Sequence, residues 1–219
     1  MRVIGLTGSI GMGKTTTARL LRLLGLPVHD ADGAVHRLLA PGGGAVKPVL
    51  AAFPGVGNAA GGIDRAKLGA LVFADPTARA RLEAILHPRV RANGRRFLAA
   101  AARRRAPAAV LDVPLLYETG GEGRCGAVIV VSAPAFLQRQ RVMARPGMTH
   151  AKFAGILAAQ LPDAAKRARA DHVVQTGLGR RHALRQLAAI LSAAGSRVDR
   201  RRGGGLSPRG RNPWRRSDA

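Results

Sequence analysis

Gly8-Ser9-Ile10-Gly11-Met12-Gly13-Lys14-Thr15 completes the pattern G-x-x-x-x-G-K-[ST]. Glycines let a backbone turn tightly and bring its N–H groups against an anion with no Cβ in the way. The lysine reaches the β- and γ-phosphates of a nucleoside triphosphate, and the Ser/Thr hydroxyl supplies an oxygen to Mg²⁺. The spacing predicts a phosphate site at Gly8, Ser9, Ile10, Gly11, Met12, Gly13, Lys14, Thr15 and Thr16, with Thr15 on Mg²⁺. Only five of the 36 Lys and Arg are lysines, so composition alone seldom produces this match. The competing reading is a plain glycine-rich turn between a strand and a helix.

Phosphoryl transfer also needs an oriented nucleophile, usually beside a carboxylate. The chain has only 12 Asp and Glu. Asp30 and Asp32 follow a short apolar stretch, and on an extended chain both would face one side with Ala31 opposite. Asp32 is the candidate base. Asp30 either orients Mg²⁺-bound water or caps the next helix, and capping alone is the competing reading for the pair. Asp112 closes an apolar strand, the form of an acid that holds Mg²⁺; a polar strand end before Pro114 is the alternative. Arg141 and Arg145, four apart, would share a helix face and could neutralise a triphosphate. A lid could hinge at Pro146-Gly147. A solvated arginine face is the alternative. His87, before Pro88, is either a functional or a structural histidine.

These groups need elements to hold them. Strands are predicted over 3–6, 26–29, 108–113, 127–131 and 172–175. A helix over 15–24 stops at Gly25. Residues 33–105 carry no strand pattern and read as helices broken at Pro41-Gly42, Pro54-Gly55 and Asp75-Pro76. Phe73, Leu82, Ile85 and Leu86 supply apolar faces there, and Arg79, Arg81 and Arg89 are exposed. Ser132 and Thr149 are expected helix caps. The last helix shows Leu184, Leu187, Ala188 and Leu191 on one face and stops at Gly195. Strands alternating with helices predict an α/β fold, a mainly parallel sheet flanked by helices on both faces. In such sheets ligands sit at the carboxyl ends of strands, where the loop, Asp30, Asp32 and Asp112 all lie.

The formal charge is +24. Its arginine skew can arise from coding bias as easily as from function, and no specific nucleic-acid partner is expected. Residues 197–219 hold eight Arg against two Asp, with a Gly-Gly-Gly run, and read as a disordered basic tail. Cys125 stands alone, which fits a reducing compartment. No apolar run is long enough for a membrane span and no secretory signal is seen, so a cytoplasmic location is expected.

A GTPase needs N-K-x-D, which is absent, and Asp30-Ala31-Asp32-Gly33 follows Lys14 too closely for a switch region. A small-molecule kinase of shikimate, gluconate or nucleoside monophosphate type fits the size. A nucleotide-gated, RNA-associated protein is the non-enzyme alternative. The residues 5–15 and 28–32, Leu86-His87-Pro88, Val113-Pro114-Leu115-Leu116-Tyr117-Glu118, Arg141–Arg145, Ile156–Gln160 and Ala168–Asp171 together resemble the dephospho-CoA kinase family over about residues 1–192. The resemblance implies a P-loop NTPase fold over 1–196, with a helical acceptor-binding insertion at about 33–105 and a lid at about 139–167. It implies ATP and dephospho-CoA as substrates, Mg²⁺ as cofactor, and CoA and ADP as products. On the same ground Asp32 is the base, Arg145 the lid arginine and His87 an acceptor contact, while the spacing of Arg141 from Arg145 makes it a second ATP contact.

Overall fold

The first strand runs straight into the glycine loop. In the computed structural model, which describes residues 1–201, β1 (Arg2–Thr7) leads into that loop and α1 (Lys14–Leu23) leaves it. α1 ends as predicted: Gly25 takes φ 82°, its N–H donates to Arg22 O, and Leu26 N–H donates to Leu21 O. This paired closure needs a left-handed residue, which glycine adopts without strain. β2 (Val28–Asp30), β3 (Ala108–Asp112), β4 (Ala127–Ser132) and β5 (His172–Gln175) complete a parallel sheet in the order β2-β3-β1-β4-β5. The register pairs Leu6 with Asp112 and Asp30 with Asp112, so three strand ends come level.

Alternation along the strands divides the interior into two layers. Ile4, Leu6, Val110, Ile129 and Val131 pack with Ala18 and Leu21 of α1 and with Ala183 and Leu187 of α9 (Arg180–Arg201). Val128 and Val130 face the other way, onto Leu116 and Tyr117. α6 (Ala135–Met143), α7 (His150–Ala158) and α8 (Asp163–Arg169) lie between β4 and β5 in sequence. Burying each Val or Ile of these strands contributes about 1.5–3 kcal/mol, and both faces must be covered to collect it.

Between β2 and β3 stand α2 (Ala31–Leu39), α3 (Val46–Ala52), α4 (Arg65–Ala74) and α5 (Pro76–Arg103). They carry an apolar core of their own, centred on Leu39, Val49, Phe53, Val56, Ile63, Leu68 and Leu86. The predicted breaks hold. Asp64 and Asp75 cap α4 and α5, each accepting backbone N–H bonds. α5 continues through Pro88.

Several local expectations are corrected. Phe73 is 81% exposed: Leu68 and Val72, four apart, face the insertion's core, and the next residue is turned away from it. Arg89 is half-buried, donating to Gly44 O and Ile85 O. Ser132 caps nothing; its pairing with Gln175 keeps it in β4, and its hydroxyl donates to Asp163. α6 starts behind Pro134 with no side-chain cap, whereas Thr149 does cap α7. α9 passes through Gly195 to Arg201, because a single glycine weakens a helix without ending it. Leu187 and Leu191 of the predicted face do pack on the core, joined by Ala183 and Ile190 rather than by Leu184 and Ala188. The predicted basic tail therefore begins inside α9, and its remainder, 202–219, lies outside the described residues. No described helix is long and apolar enough to cross a membrane.

Candidate active site

The phosphate loop is shaped by its neighbours. Gly11 and Gly13 take φ 76° and 90°, in the left-handed region. A Cβ on Gly8 would stand 2.3 Å from Val131 Cγ2 and 2.8 Å from the Val131 carbonyl oxygen. That carbonyl belongs to the central sheet and cannot move aside. Gly8→Ala is expected to lower stability by about 1–3 kcal/mol, as overpacking does, and to weaken ATP binding; urea unfolding and calorimetric titration check both.

α1 begins at Lys14 with Gly13 at its cap and no side-chain cap bond. The N–H groups of Gly13, Lys14, Thr15 and Thr16 therefore find no acceptor in the helix, and their dipole favours an anion. Thr176 Oγ1 donates to Met12 O at 2.7 Å, and Gln138 Nε2 donates to Ile10 O at 2.8 Å. Ile10 N–H donates to Gln160 Oε1 at 3.0 Å. The loop is thus held from three later segments while its helix-side amides stay open.

Lys14 Nζ lies 2.8 Å from Asp112 Oδ1. Burial pushes the Asp112 carboxyl above the ordinary carboxylate range; Lys14 pulls it back, while Asp30 and Asp32 push it further up. Asp112 thus feels two further carboxylates across the ends of β2 and β3. Asp30 and Asp32 do not share one extended face, as the alternation predicted. β2 stops at Asp30, whose side chain accepts from Gly33 N–H at 3.0 Å and caps α2. Asp32 is already in the first turn of α2 and lines a cleft of about 670 Å³.

The cleft runs between α2 and α5 on one side and the turn 113–119 on the other. Its floor is apolar: Val35, Leu82, Leu86, Val90, Leu111 and Val113. Along α5, Arg79, Glu83, His87, Arg91 and Arg95 recur every four residues and all line it. Arg124 faces them from the other wall. His87 therefore lines the cleft. The arginine stripe was not singled out, although its spacing was there to be read. The hold of Gln138, Gln160 and Thr176 on the loop leaves no local signal, since their loop partners lie more than a hundred residues away.

The two arginines of the predicted lid part company. Arg141 bonds Thr176 Oγ1 at 3.1 Å, Thr176 O at 2.9 Å and Gly11 O at 3.4 Å, so its guanidinium sits against the phosphate loop. α6 stops at Met143, so Arg145 does not share a helix face with it. The turn beyond leaves Arg145 exposed, with no side-chain partner among the described residues. No group of three or more His, Cys, Asp or Glu among the described residues could hold a metal by itself. The oxygen donors present, the Thr15 hydroxyl and Asp112, suit Mg²⁺, which takes one or two protein oxygens and completes its shell from phosphate and water.

A phosphate loop between the first strand and first helix of a parallel β2-β3-β1-β4-β5 sheet, with a carboxylate-bearing cleft beside it, defines a P-loop kinase. The family model CoaE, dephospho-CoA kinase, matches residues 2–179. Dephospho-CoA kinase of Rhodospirillum rubrum is 60% identical over 202 residues, covering 92% of this chain and 96% of that one. That of Mesorhizobium japonicum is 55% identical over 191 residues, 87% and 95% of the two chains. A crystal structure from Thermus thermophilus superposes with a TM-score of 0.75 at 37% identity, covering 88% of this chain and 97% of its own. The chain belongs to the dephospho-CoA kinase family.

Proposed function

We propose that the chain transfers the γ-phosphoryl group of ATP to the 3′-hydroxyl of the ribose of dephospho-CoA. The products are ADP and CoA, and this is the last step of CoA biosynthesis. One observation carries the reading beyond family membership. Asp32, with no hydrogen-bond partner among the described residues, lines a cleft next to the phosphate loop, while Asp30 is engaged as a cap. A carboxylate left free at that place can take a proton from an acceptor hydroxyl.

The roles follow from the positions. The open amides of Gly13 to Thr16 and the Lys14 ammonium receive the β- and γ-phosphates. Thr15, together with Asp112, would hold Mg²⁺, which neutralises charge on the phosphates when bound. Lys14 moves between Asp112 and phosphate oxygen. Arg141 keeps the loop and the Thr176 segment together beside the nucleotide. Arg145, exposed at the edge of the segment 139–167, is free to swing over the γ-phosphate as that segment closes. Residues 33–105 take the acceptor, with Asp32 meeting its ribose hydroxyl and His87 deeper along α5. Turnover decides the reading: with ATP and Mg²⁺, the purified protein should convert dephospho-CoA to CoA with release of ADP. Faster turnover of shikimate, gluconate or a nucleoside monophosphate would refute it.

The arginines address the rest of the acceptor. Dephospho-CoA carries a diphosphate between its adenosine and pantetheine parts, and Arg91 and Arg124 face the cleft from opposite walls. Arg91→Ala and Arg124→Ala are each expected to raise KM for dephospho-CoA about tenfold, the value of one charge-assisted hydrogen bond at a partly exposed site. KM for ATP should stay within about twofold on the same principle. Adenosine, used as a truncated acceptor, should lose nothing. Initial-rate kinetics with both acceptors check this.

A further inference from the structure

Among the described residues, Gln160 alone both lines the acceptor cleft and hydrogen-bonds the phosphate loop. Its Oε1 accepts from Ile10 N–H at 3.0 Å, while Gln138 Nε2 donates to the carbonyl of the same residue at 2.8 Å. Two side-chain amides thus grip both backbone groups of Ile10. The next residue, Gly11, is where the loop turns left-handed. The grip on Ile10 sets the angle at which the loop enters that turn, and so where the amides beyond it point.

Gln160 is itself tied to the opposite wall of the cleft. The adjoining Leu161 N–H donates to Glu118 Oε1 at 2.8 Å, and Lys166 Nζ, fully buried, pairs with the same oxygen at 2.8 Å. Burial works against the Glu118 carboxylate, but Lys166 and the Leu161 N–H outweigh it and hold the group below the ordinary range. Glu118 belongs to the turn whose Val113, Pro114, Leu115 and Thr119 line the cleft. A short chain of contacts therefore runs from the cleft wall through Glu118 and Gln160 to Ile10.

We propose that Gln160 is a positioning residue that couples acceptor binding to the geometry of the phosphate loop. The proposal rests on the phosphotransfer reading above. The physical basis is the two-sidedness of an amide. Ile10 N–H accepts only the orientation that turns Oε1 toward it, which leaves the Nε2 donors for the cleft. They have no acceptor among the described residues. An acceptor oxygen, from a hydroxyl or a phosphate, that bonds Nε2 favours this same orientation and strengthens the hold on Ile10. Reciprocity then requires a well-set loop to favour the acceptor.

The test uses Gln160→Glu and Gln160→Leu. The first keeps an oxygen for Ile10 N–H but removes the cleft-facing donors; the second removes both. Affinity for a non-hydrolysable ATP analogue is measured by calorimetry with and without saturating dephospho-CoA, and the ratio is the coupling factor. An added charge that affects both affinities cancels in that ratio. In the unaltered chain the acceptor is expected to tighten analogue binding, by about tenfold for a typical coupling. In both variants the ratio should fall to about one. Transfer kcat should fall more than tenfold in Gln160→Glu, and by a clearly larger factor than its acceptor-free ATP hydrolysis falls. A ratio of one in the unaltered chain, or a ratio kept in both variants, would overturn the proposal. So would equal losses of hydrolysis and transfer in Gln160→Glu, which mark simple support of the loop. Turnover of dephospho-CoA by the unaltered chain separates the outcomes: with turnover intact and coupling absent, this inference alone fails; without turnover, the phosphotransfer reading falls and this inference with it.

Discussion

Lys14→Met is expected to abolish useful phosphoryl transfer, with kcat down by about 10³-fold or more, beyond the cost of one lost oxyanion donor. Methionine keeps most of the length and none of the charge. The open amides of α1 still offer dipoles to a phosphate, so ATP should bind, though more weakly. The β- and γ-oxygens, however, lose the one ammonium poised at 2.8 Å from Asp112, at the carboxyl edge of the sheet. The change has a second signature, at Asp112. That carboxyl is nearly buried and already shifted upward by burial, with Lys14 the chief opposing influence. A carboxyl raised in the folded state opposes folding once it ionises. The penalty is absent below its unfolded pKa and complete above its folded one. Without Lys14 the shift grows, so the variant should lose more stability relative to the parent at pH 8 than at pH 5. Thermal melts at both values check this, and kcat from coupled ADP release checks the first claim. A variant that keeps a tenth of the parental kcat would remove Lys14 from the chemistry.

The loop was legible because all its information is local: eight consecutive residues between a strand and a helix. The sheet was legible for a similar reason, as each strand is a short apolar run. What sequence could not give was which side chains meet. Lys14 and Asp112 are 98 residues apart, and Gln160 and Ile10 are 150 apart. Spacing encodes periodicity within an element, not pairing between elements. Element boundaries supplied the other errors. The expectation that Asp30 and Asp32 point the same way failed by one residue of strand, because Asp30 caps a helix that starts at Ala31. Arg141 and Arg145 parted because α6 stops at Met143, two residues short. Part of the insertion's core was legible, since Leu82, Ile85 and Leu86 of the predicted apolar faces pack in it, and the arginine stripe along α5 stands in a plain four-residue spacing. The wall they face, the turn 113–119, comes from a distant part of the chain.

The boundary shift at Asp30 sharpens the case for Asp32. Had the strand continued, both carboxylates would have faced the site and neither could be preferred. With Asp30 bound to Gly33 N–H, Asp32 is the member of this pair left to receive a proton in the cleft. Asp32→Asn is therefore expected to lower kcat by about 10²–10⁴-fold, the range of general-base assistance. ATP affinity should change less than about threefold, because Asp32 is not part of the loop that holds the phosphates. Asparagine preserves shape and can still accept a hydrogen bond from a hydroxyl, but it cannot take the proton. Asp30→Ala is the matched control: it should cost about 1 kcal/mol of stability as a lost helix cap, with a far smaller effect on kcat. If Asp32→Asn retains more than a tenth of the parental kcat, or if Asp30→Ala shows the larger loss, the proton goes elsewhere and the cap has been mistaken for a spectator. Rates with saturating ATP and dephospho-CoA, taken with calorimetric ATP affinities for both variants, separate these outcomes.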